Sequence, residues 1–304
     1  MKKHILATLL VAVTGVASAQ VAITGKIGQI VDRTDGATTL VTEPTSNITL
    51  SAREELGGGL QARAVFDTSL RGSTLGGTGT QLGDRQSTVG LGSRLGSVDL
   101  GRNVHSQFVA VTSNDVFGTL YGSIAGDVHN LRGLRFSDAV FASVNGPLGV
   151  KATFDRTQNN VGGQASAYSL SKSFAGINGT FAQYEQGTEK TSVIGFNTKL
   201  AGNTLTYVRS EDKGARNATG DSVGIARDFG AITAKASYGR QSKNSLFVIG
   251  PSTQGTPEVT TAYALGADYN LSKRTAVTVA YRNVDAPSGY ADTKQVGVGL
   301  VHKF

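Results

Sequence analysis

The last nine residues, Val-Gly-Val-Gly-Leu-Val-His-Lys-Phe at positions 296–304, alternate between two kinds of side chain. The even positions are mostly apolar and end on the aromatic Phe304, whereas the odd positions are mostly small or charged. Alternation with a period of two predicts a β-strand whose two faces meet different surroundings. An apolar outer face and a polar inner face are typical of a transmembrane β-barrel.

The first nineteen residues have the three parts of a signal peptide. A basic start at 1–4 precedes an apolar run at 5–13, and Ala17-Ser18-Ala19 fits the cleavage pattern. We therefore expect cleavage after Ala19, one barrel domain over 20–304 and a location outside the cytoplasm. The remaining sequence holds no apolar run long enough for a membrane-spanning helix, so strands would have to cross the membrane.

The alternation repeats along the chain and predicts sixteen strands of about ten residues. Ten residues at ~3.3 Å each, tilted by ~45°, rise roughly 23 Å, which is close to the apolar height of an outer membrane. The predicted strands are 21–31, 46–54, 59–68, 85–93, 97–102, 132–143, 148–156, 165–174, 177–185, 191–200, 203–211, 220–229, 231–240, 260–271, 275–284 and 294–304.

Tight turns and longer polar connections alternate between these strands. The longer ones are 32–45, 69–84, 103–131, 157–164, 186–190, 212–219, 241–259 and 285–293. An even strand count lets the first and last strands pair, which removes the sheet edges. The predicted fold class is all-β: a 16-stranded antiparallel transmembrane β-barrel with short periplasmic turns and long external loops.

Parity along each strand assigns Lys and Arg side chains to the lumen. A charge facing lipid near the midplane costs ~2–4 kcal/mol, so this segregation is physically required. Two interpretations remain open: the bases favour anions in the pore, or they only keep the lumen wet and pair with Asp67, Asp155 and Asp268. Parity does not decide the direction of Arg85, Arg102 and Arg132, which fall at strand ends. The bases and acids assigned inward are Arg53, Arg63, Asp67, Arg135, Lys151, Asp155, Lys199, Lys235 and Arg282.

The third long connection, 103–131, is unusually apolar for a loop in water. It contains Phe108, Val111, Phe117, Tyr121 and Ile124 among other apolar residues. Folding inward against the barrel wall would bury these groups. Such a loop would narrow the pore and bring its two acids, Asp115 and Asp127, towards the basic wall.

Four segments in this order and spacing resemble the general (non-specific) porins of Gram-negative bacteria, especially the β-proteobacterial type. The segments are REELGGGLQA at 53–62, DRQSTVGL at 84–91, GSVDLGRN at 96–103 and VGLVHKF at 298–304. The resemblance spans the whole chain. It implies an outer-membrane homotrimer for passive diffusion of small hydrophilic solutes and ions, with the third loop folded into the lumen. It also implies contact with outer-membrane lipid and lipopolysaccharide, and no nucleic acid.

The resemblance also suggests site residues. Arg53, Arg102 and Arg132 match the basic wall of the constriction, with Arg63 and Arg135 as neighbours and Lys151 further along the lumen. The segment 115–118 matches the loop tip, but Val116 stands where many relatives carry an acid, which favours anions. The terminal Phe304 matches the residue read by the barrel-assembly machinery.

Two rival functions need residues that this chain presents poorly. An outer-membrane barrel enzyme needs a base beside a nucleophile, but His105 and His129 have no serine motif near them, and there is no cysteine. The histidines are also too far apart in sequence to suggest a metal site, so we expect no enzyme, metal or cofactor. A substrate-specific channel lined with aromatics remains the alternative, although few aromatics have inward parity.

Overall fold

In a computed structural model, the chain forms one antiparallel sheet that closes on itself. The structure describes residues 20–70, 82–160, 163–214, 217–242, 260–286 and 291–304. The predicted signal peptide, 1–19, and most of the predicted loops 69–84 and 241–259 lie outside these ranges. The strands are β1 Gln20–Thr34, β2 Ala37–Thr42, β3 Asn47–Gly57, β4 Leu60–Ser69, β5 Gln86–Ser93, β6 Gly96–Val104, β7 Arg135–Asn145, β8 Lys151–Asn160, β9 Gly163–Phe174, β10 Ile177–Gln186, β11 Glu189–Leu200, β12 Asn203–Lys213, β13 Ala218–Phe229, β14 Ile232–Gln241, β15 Thr260–Asn270, β16 Thr275–Asp285 and β17 Thr293–Lys303.

Two short helices, α1 Ser106–Thr112 and α2 Ala125–Val128, lie between β6 and β7, and a 3₁₀ turn spans Pro147–Gly149. Within the ranges given above, the structure contains no helix with the length and apolar character needed to span a membrane.

The first and last strands close the barrel, as predicted. β1 pairs with β17 from Lys26 opposite Lys303 to Thr34 opposite Gln295. Beyond the last strand, the backbone groups of Gly25 and Phe304 exchange two hydrogen bonds of 3.0 Å. Closure leaves no free sheet edge among the strands that the structure describes.

The seventeen strand segments make sixteen barrel strands. β2 and β3 both pair with β1: β2 with the part from Gln29 to Thr34, and β3 with the part from Gln20 to Lys26. They are two parts of one barrel strand, interrupted at 43–46. The predicted sixteen-stranded barrel is therefore confirmed.

The first predicted long loop, 32–45, is wrong. β1 runs on to Thr34, turns at Asp35 and Gly36, and returns immediately as β2. Both turn residues have left-handed φ angles, 50° and 91°, as a two-residue hairpin turn requires. The connection between β10 and β11 is also only Gly187 and Thr188. Strict alternation of long and short connections therefore fails at these places, and it also fails between β8 and β9, which only 161–162 separate.

The strands show the expected two faces. Val296, Val298 and Leu300 of β17 point outward and are exposed on the barrel surface. The buried hydrophobic core lies instead inside the barrel, where Phe117, Tyr121 and other side chains of the β6–β7 connection pack against lumen-facing alanines. The inward-folded third loop is thus confirmed, and it fills part of the lumen.

Candidate pore constriction

The connection between β6 and β7, residues 105–134, lies along the inner wall and is here called the inner loop. α1 contacts β8 to β11, and α2 contacts β13 to β15. On its wall side, Val111, Phe117 and Ile124 are at most 2 % exposed. The loop therefore covers one half of the wall and leaves the lumen open on the side of β3 to β7.

Glycines on the covered wall make room for the loop. A Cβ added to Gly239 would lie 2.6 Å from Val128, and one added to Gly266 would lie 2.8 Å from the ring of Phe117. A Cβ added to Gly297 would likewise come too close to the ring of Tyr121. Since real Cβ atoms do not approach so closely, these wall positions accept the loop only as glycine.

His105 ties the start of the inner loop to its end. Its Nδ1 accepts a hydrogen bond from the backbone N–H of Phe108 (3.3 Å), and its Nε2 donates to the carbonyl oxygen of Arg132 (3.3 Å). The ring is buried between Phe136 and Tyr184, with centroids 4.8 and 5.3 Å away. Burial lowers the pKa of His105 to about 4, against the weaker effect of the backbone hydrogen bonds.

His129 holds the end of α2 against the wall. Its two ring nitrogens lie 2.8 Å from the hydroxyls of Ser210 on β12 and Ser222 on β13. Burial lowers the pKa of His129 to about 4, although the nearby Asp221 acts in the opposite direction. Both loop histidines are thus neutral structural anchors at pH 7.

Arg132 also anchors the loop, and the structure does not place it with Arg53 and Arg102. Its guanidinium donates to the hydroxyl of Thr191 (2.6 Å) and pairs with Glu189 (3.1 Å) and Asp212 (3.2 Å). These partners belong to β11 and β12, whereas Arg53 lies on β3 and Arg102 on β6. Two carboxylates thus offset the charge of Arg132. The position of Arg132 in the sequence did not indicate these partners.

The two loop acids do not face the basic wall. Asp115 accepts hydrogen bonds from the backbone N–H of Phe117 (3.0 Å) and from the hydroxyl of Ser123, so it closes the loop tip on itself. Asp127 pairs with Arg282 of β16 at 2.8 Å. Burial raises the pKa of Asp127, while Arg282 acts to lower it.

The exposed surface of the inner loop is uncharged. Its exposed residues are Val109, Ser113, Gly118, Gly126 and Gly133. The expected arrangement of loop acids across from wall bases is therefore replaced by a neutral loop surface across from the basic wall.

Arg53 and Arg63 form the first part of the basic wall. They lie directly opposite each other in the register of β3 and β4. Arg63 pairs with Asp99 of β6, with 2.7 Å between Nε and Oδ1. Within the described ranges, no carboxylate lies within ion-pair distance of Arg53.

Arg102 and Arg135 form the second part. Nε of Arg102 donates to the carbonyl oxygen of Asp84, and Nε of Arg135 donates to that of Arg85, each at 2.8 Å. Arg85, whose direction parity left open, pairs with Asp67 at 3.0 Å. Among the residues that the structure describes, neither Arg102 nor Arg135 has a carboxylate within ion-pair distance.

Open space follows this wall. One cavity inside the barrel, here called the inner cavity, has a volume of about 630 Å³ and is lined by Arg63, Asp99 and Lys151 among others. A second cavity inside the barrel, here called the outer cavity, has a volume of about 560 Å³. It is lined by Arg85 and Arg135 of the wall and by Arg282. Val104 lines both cavities, so they adjoin beside the inner loop.

Sequence reasoning did not name Arg85 and Arg282 as site residues. Parity pointed to the lumen for Arg282, but it could not show that this base neutralises a loop acid. Arg85 precedes β5 and therefore has no strand parity.

A closed sixteen-stranded barrel with a loop folded into a charged lumen is the architecture of an outer-membrane channel. The family model described as Gram-negative porin matches residues 7–289, and the chain belongs to that family. It is accordingly a porin of the outer membrane of Gram-negative bacteria, and the predicted family and location are confirmed.

Curated relatives and solved structures agree with this assignment. The chain is 24 % identical to the major outer membrane protein P.IB of Neisseria lactamica and 26 % identical to that of Neisseria meningitidis serogroup B; both alignments cover 100 % of each chain. The anion-selective porin from Comamonas acidovorans has a TM-score of 0.77 at 20 % identity, covering 94 % of this chain and 100 % of that one. The trimer form of OmpT from Vibrio cholerae has a TM-score of 0.70 at 11 % identity, with 94 % and 99 % covered.

Proposed function

We propose that this porin is a general diffusion channel for small hydrophilic solutes with a preference for anions. The proposal is based on the partners of the two loop acids. Asp127 is paired with Arg282, and Asp115 is bound within the loop. Solutes therefore pass between a basic wall and a loop surface whose exposed residues are uncharged.

The basic wall acts on solutes through its fixed charge. Arg53, Arg102 and Arg135 have no ion-pair partner in the described part of the chain, so their charge is offset less than that of Arg63 or Arg85. A narrow pore with low-dielectric walls strengthens such a field and raises the local concentration of anions. The description of one structural neighbour as an anion-selective porin adds support.

Single-channel conductance of the purified protein in planar bilayers tests this proposal. Potassium chloride is compared with lithium chloride and with potassium acetate at equal concentration. An anion-preferring pore loses more conductance when acetate replaces chloride than when lithium replaces potassium. The opposite order would contradict anion preference, and the absence of channels would contradict the pore itself.

The outer face of the barrel supports a homotrimer. β1 to β7 expose aliphatic side chains such as Leu50, Val89 and Leu100. Aromatic side chains favour the lipid–water interface, so a face on which no aromatic side chain of β1 to β7 is more than partly exposed suits contact with other copies of the chain. The exposed aromatics of the described barrel are Phe154, Phe174, Phe196, Phe229, Tyr238, Tyr263, Tyr269 and Phe304.

Sedimentation of the detergent-solubilised protein tests the trimer. We expect the mass of three chains, which Leu100→Asn lowers and the matched Leu265→Asn, on the aromatic side, leaves unchanged. A monomer mass for the unmodified chain would contradict the proposal.

The remaining outer face is expected to contact lipid and, near the external rim, lipopolysaccharide. Arg33, Arg240 and Lys294 are exposed near the ends of strands that lead to external connections. Bases at this level can bind the phosphates of lipopolysaccharide.

We also infer that the chain is a channel without enzymatic activity. His105 and His129 are buried and engaged in structural hydrogen bonds, which leaves neither available as a base. Lipase and protease assays in detergent test this inference, and turnover in either assay would overturn it.

A further inference from the structure

We propose that the outer cavity binds small organic anions that carry an apolar group, such as aromatic or branched alkyl carboxylates. The proposal rests on the proposed anion-preferring channel and goes further, because it names a class of solute that the channel holds during passage.

The outer cavity has two unlike sides. Arg85, Arg135 and Arg282 contribute guanidinium groups from the barrel wall. The inner loop contributes apolar side chains on the opposite side: Phe108, Leu120, Leu131 and Leu134. A solute with a carboxylate at one end and an apolar group at the other matches both sides at once.

The charge of this cavity favours an anion. Four guanidinium groups lie in or beside it, those of Arg85, Arg135 and Arg282 and that of Arg102, which holds the backbone of Asp84. Asp67, Asp84 and Asp127 contribute carboxylates, and the buried Asp32 lies behind the cavity, where it accepts hydrogen bonds from Tyr121 and Gln295. Asp67 and Asp127 offset the charges of Arg85 and Arg282, whereas neither Arg102 nor Arg135 has a carboxylate within ion-pair distance in the described part of the chain.

Arg135 is the group best placed to bind the carboxylate. Only its Nε is engaged, with the carbonyl oxygen of Arg85, and the structure describes no partner for its two terminal nitrogens. A guanidinium with free terminal nitrogens can hold a carboxylate through two parallel hydrogen bonds. Asp84, the acid that lines this cavity, is already held at 2.7 Å by the backbone N–H and the hydroxyl of Ser69.

The inner cavity provides an internal comparison. It is lined largely by polar groups, including Gln61, Ser97 and Asn145 beside Arg63 and Lys151. It can attract anions but has less apolar surface to offer. Selection for an apolar group is therefore expected only in the outer cavity.

Interruption of the potassium chloride current by added solutes tests the proposal in the wild-type channel. Benzoate, acetate and benzyl alcohol are compared as probes. We expect benzoate to halve the current at a concentration roughly ten times lower than acetate, since burying its ring removes apolar surface from water. Benzyl alcohol, which lacks the charge, should leave the current unchanged.

Two variants separate the two sides of the cavity. Arg135→Gln should raise the half-blocking concentration of both acids by about tenfold, the value of a charge-assisted hydrogen bond. Leu120→Ser should raise that of benzoate towards that of acetate. Arg156→Gln, on the outer face of β8, is the matched control and should change neither value.

The results distinguish this proposal from the proposed function. If the channel prefers chloride over potassium but benzoate and acetate block it equally, the binding site is wrong and the anion preference stands. Benzoate block that neither Arg135→Gln nor Leu120→Ser weakens would also overturn the site. A cation-preferring channel would overturn both.

Discussion

The carboxylate of Asp127 lies 2.8 Å from the guanidinium of Arg282, so the inner loop and β16 are joined by a salt bridge across 155 residues of sequence. Both side chains are largely buried, at 12 % and 24 % exposure. The pair fastens α2 to the wall and also removes an acid from the water-facing side of the pore. Structure and selectivity are thus linked through one contact.

Breaking this pair should loosen the loop. Arg282→Gln leaves a buried carboxylate without its counter-charge, which typically costs about 3–5 kcal/mol. We expect larger open-channel current noise and weaker resistance of the loop to proteolysis. The double variant Asp127→Asn, Arg282→Gln removes both charges and should restore much of the loss. Equal noise in the wild type and Arg282→Gln would show that the pair does not hold the loop.

The glycines under the loop give a second prediction. Gly266→Ala places a methyl group 2.8 Å from the ring of Phe117, and overpacking of this kind costs typically 1–3 kcal/mol. The ring must move into the lumen or the loop must detach, so the single-channel conductance should change. Gly92→Ala is the matched control, because its nearest neighbouring atom would be 3.6 Å away. Similar conductance changes in the two variants would contradict this explanation.

The basic wall can be tested one charge at a time. Removing one unit charge at ~10 Å in water changes the energy of a passing ion by ~0.4 kcal/mol, or about twofold in relative permeability. Arg102→Gln and Arg135→Gln should each lower the chloride-to-potassium permeability ratio by about this factor. Arg156→Gln on the outer face should not change the ratio. An unchanged ratio in both wall variants would place the selectivity elsewhere.

Acid should weaken the packing of the inner loop through its two buried histidines. Burial lowers the pKa values of His105 and His129 to about 4 in the packed loop, whereas a released loop would titrate near 6.5. The packed state therefore keeps its full stability above pH 6.5 and loses it as the pH falls towards 4. Below pH 4 the loss reaches up to about 3 kcal/mol for each histidine.

For His105 the physical reason is also geometric, because protonated Nδ1 cannot accept the N–H of Phe108. Channel noise measured from pH 7 to pH 3.5 should rise across this window. Asn at position 105 accepts the same hydrogen bond without titrating, so His105→Asn should reduce the rise. A noise level that is independent of pH in the wild type would refute this prediction.

Much of the barrel could be predicted from strand parity, because each face of a transmembrane strand meets a different solvent. The first hairpin was missed although its signals were present. Asp35-Gly36 is a typical two-residue hairpin turn, and residues 37–42 are rich in Thr and Val. The polar residues around the turn favoured the interpretation of this segment as a loop. The connection at 187–188 was also predicted to be longer, at 186–190, than the two residues that it contains.

The site could be predicted only in part. The apolar side chains of 103–131 indicated an inward fold, because no loop in water needs so many of them. Parity states whether a side chain faces the lumen, but it does not state where around the barrel that side chain lies. The partners of Asp127 and Arg132 are set by that angular position and by the path of the loop, so they could not be inferred from sequence.

The reversal potential of the wild-type channel in a potassium chloride gradient reports directly whether the pore prefers chloride. In the proposed channel Asp127 is neutralised by Arg282, Asp115 is held within the loop, and solutes pass along a basic wall whose charge is only partly offset. This arrangement predicts a reversal potential with the sign of chloride selectivity, which Arg135→Gln brings closer to zero. A reversal potential with the sign of potassium selectivity would show that the basic wall does not set the selectivity of the channel.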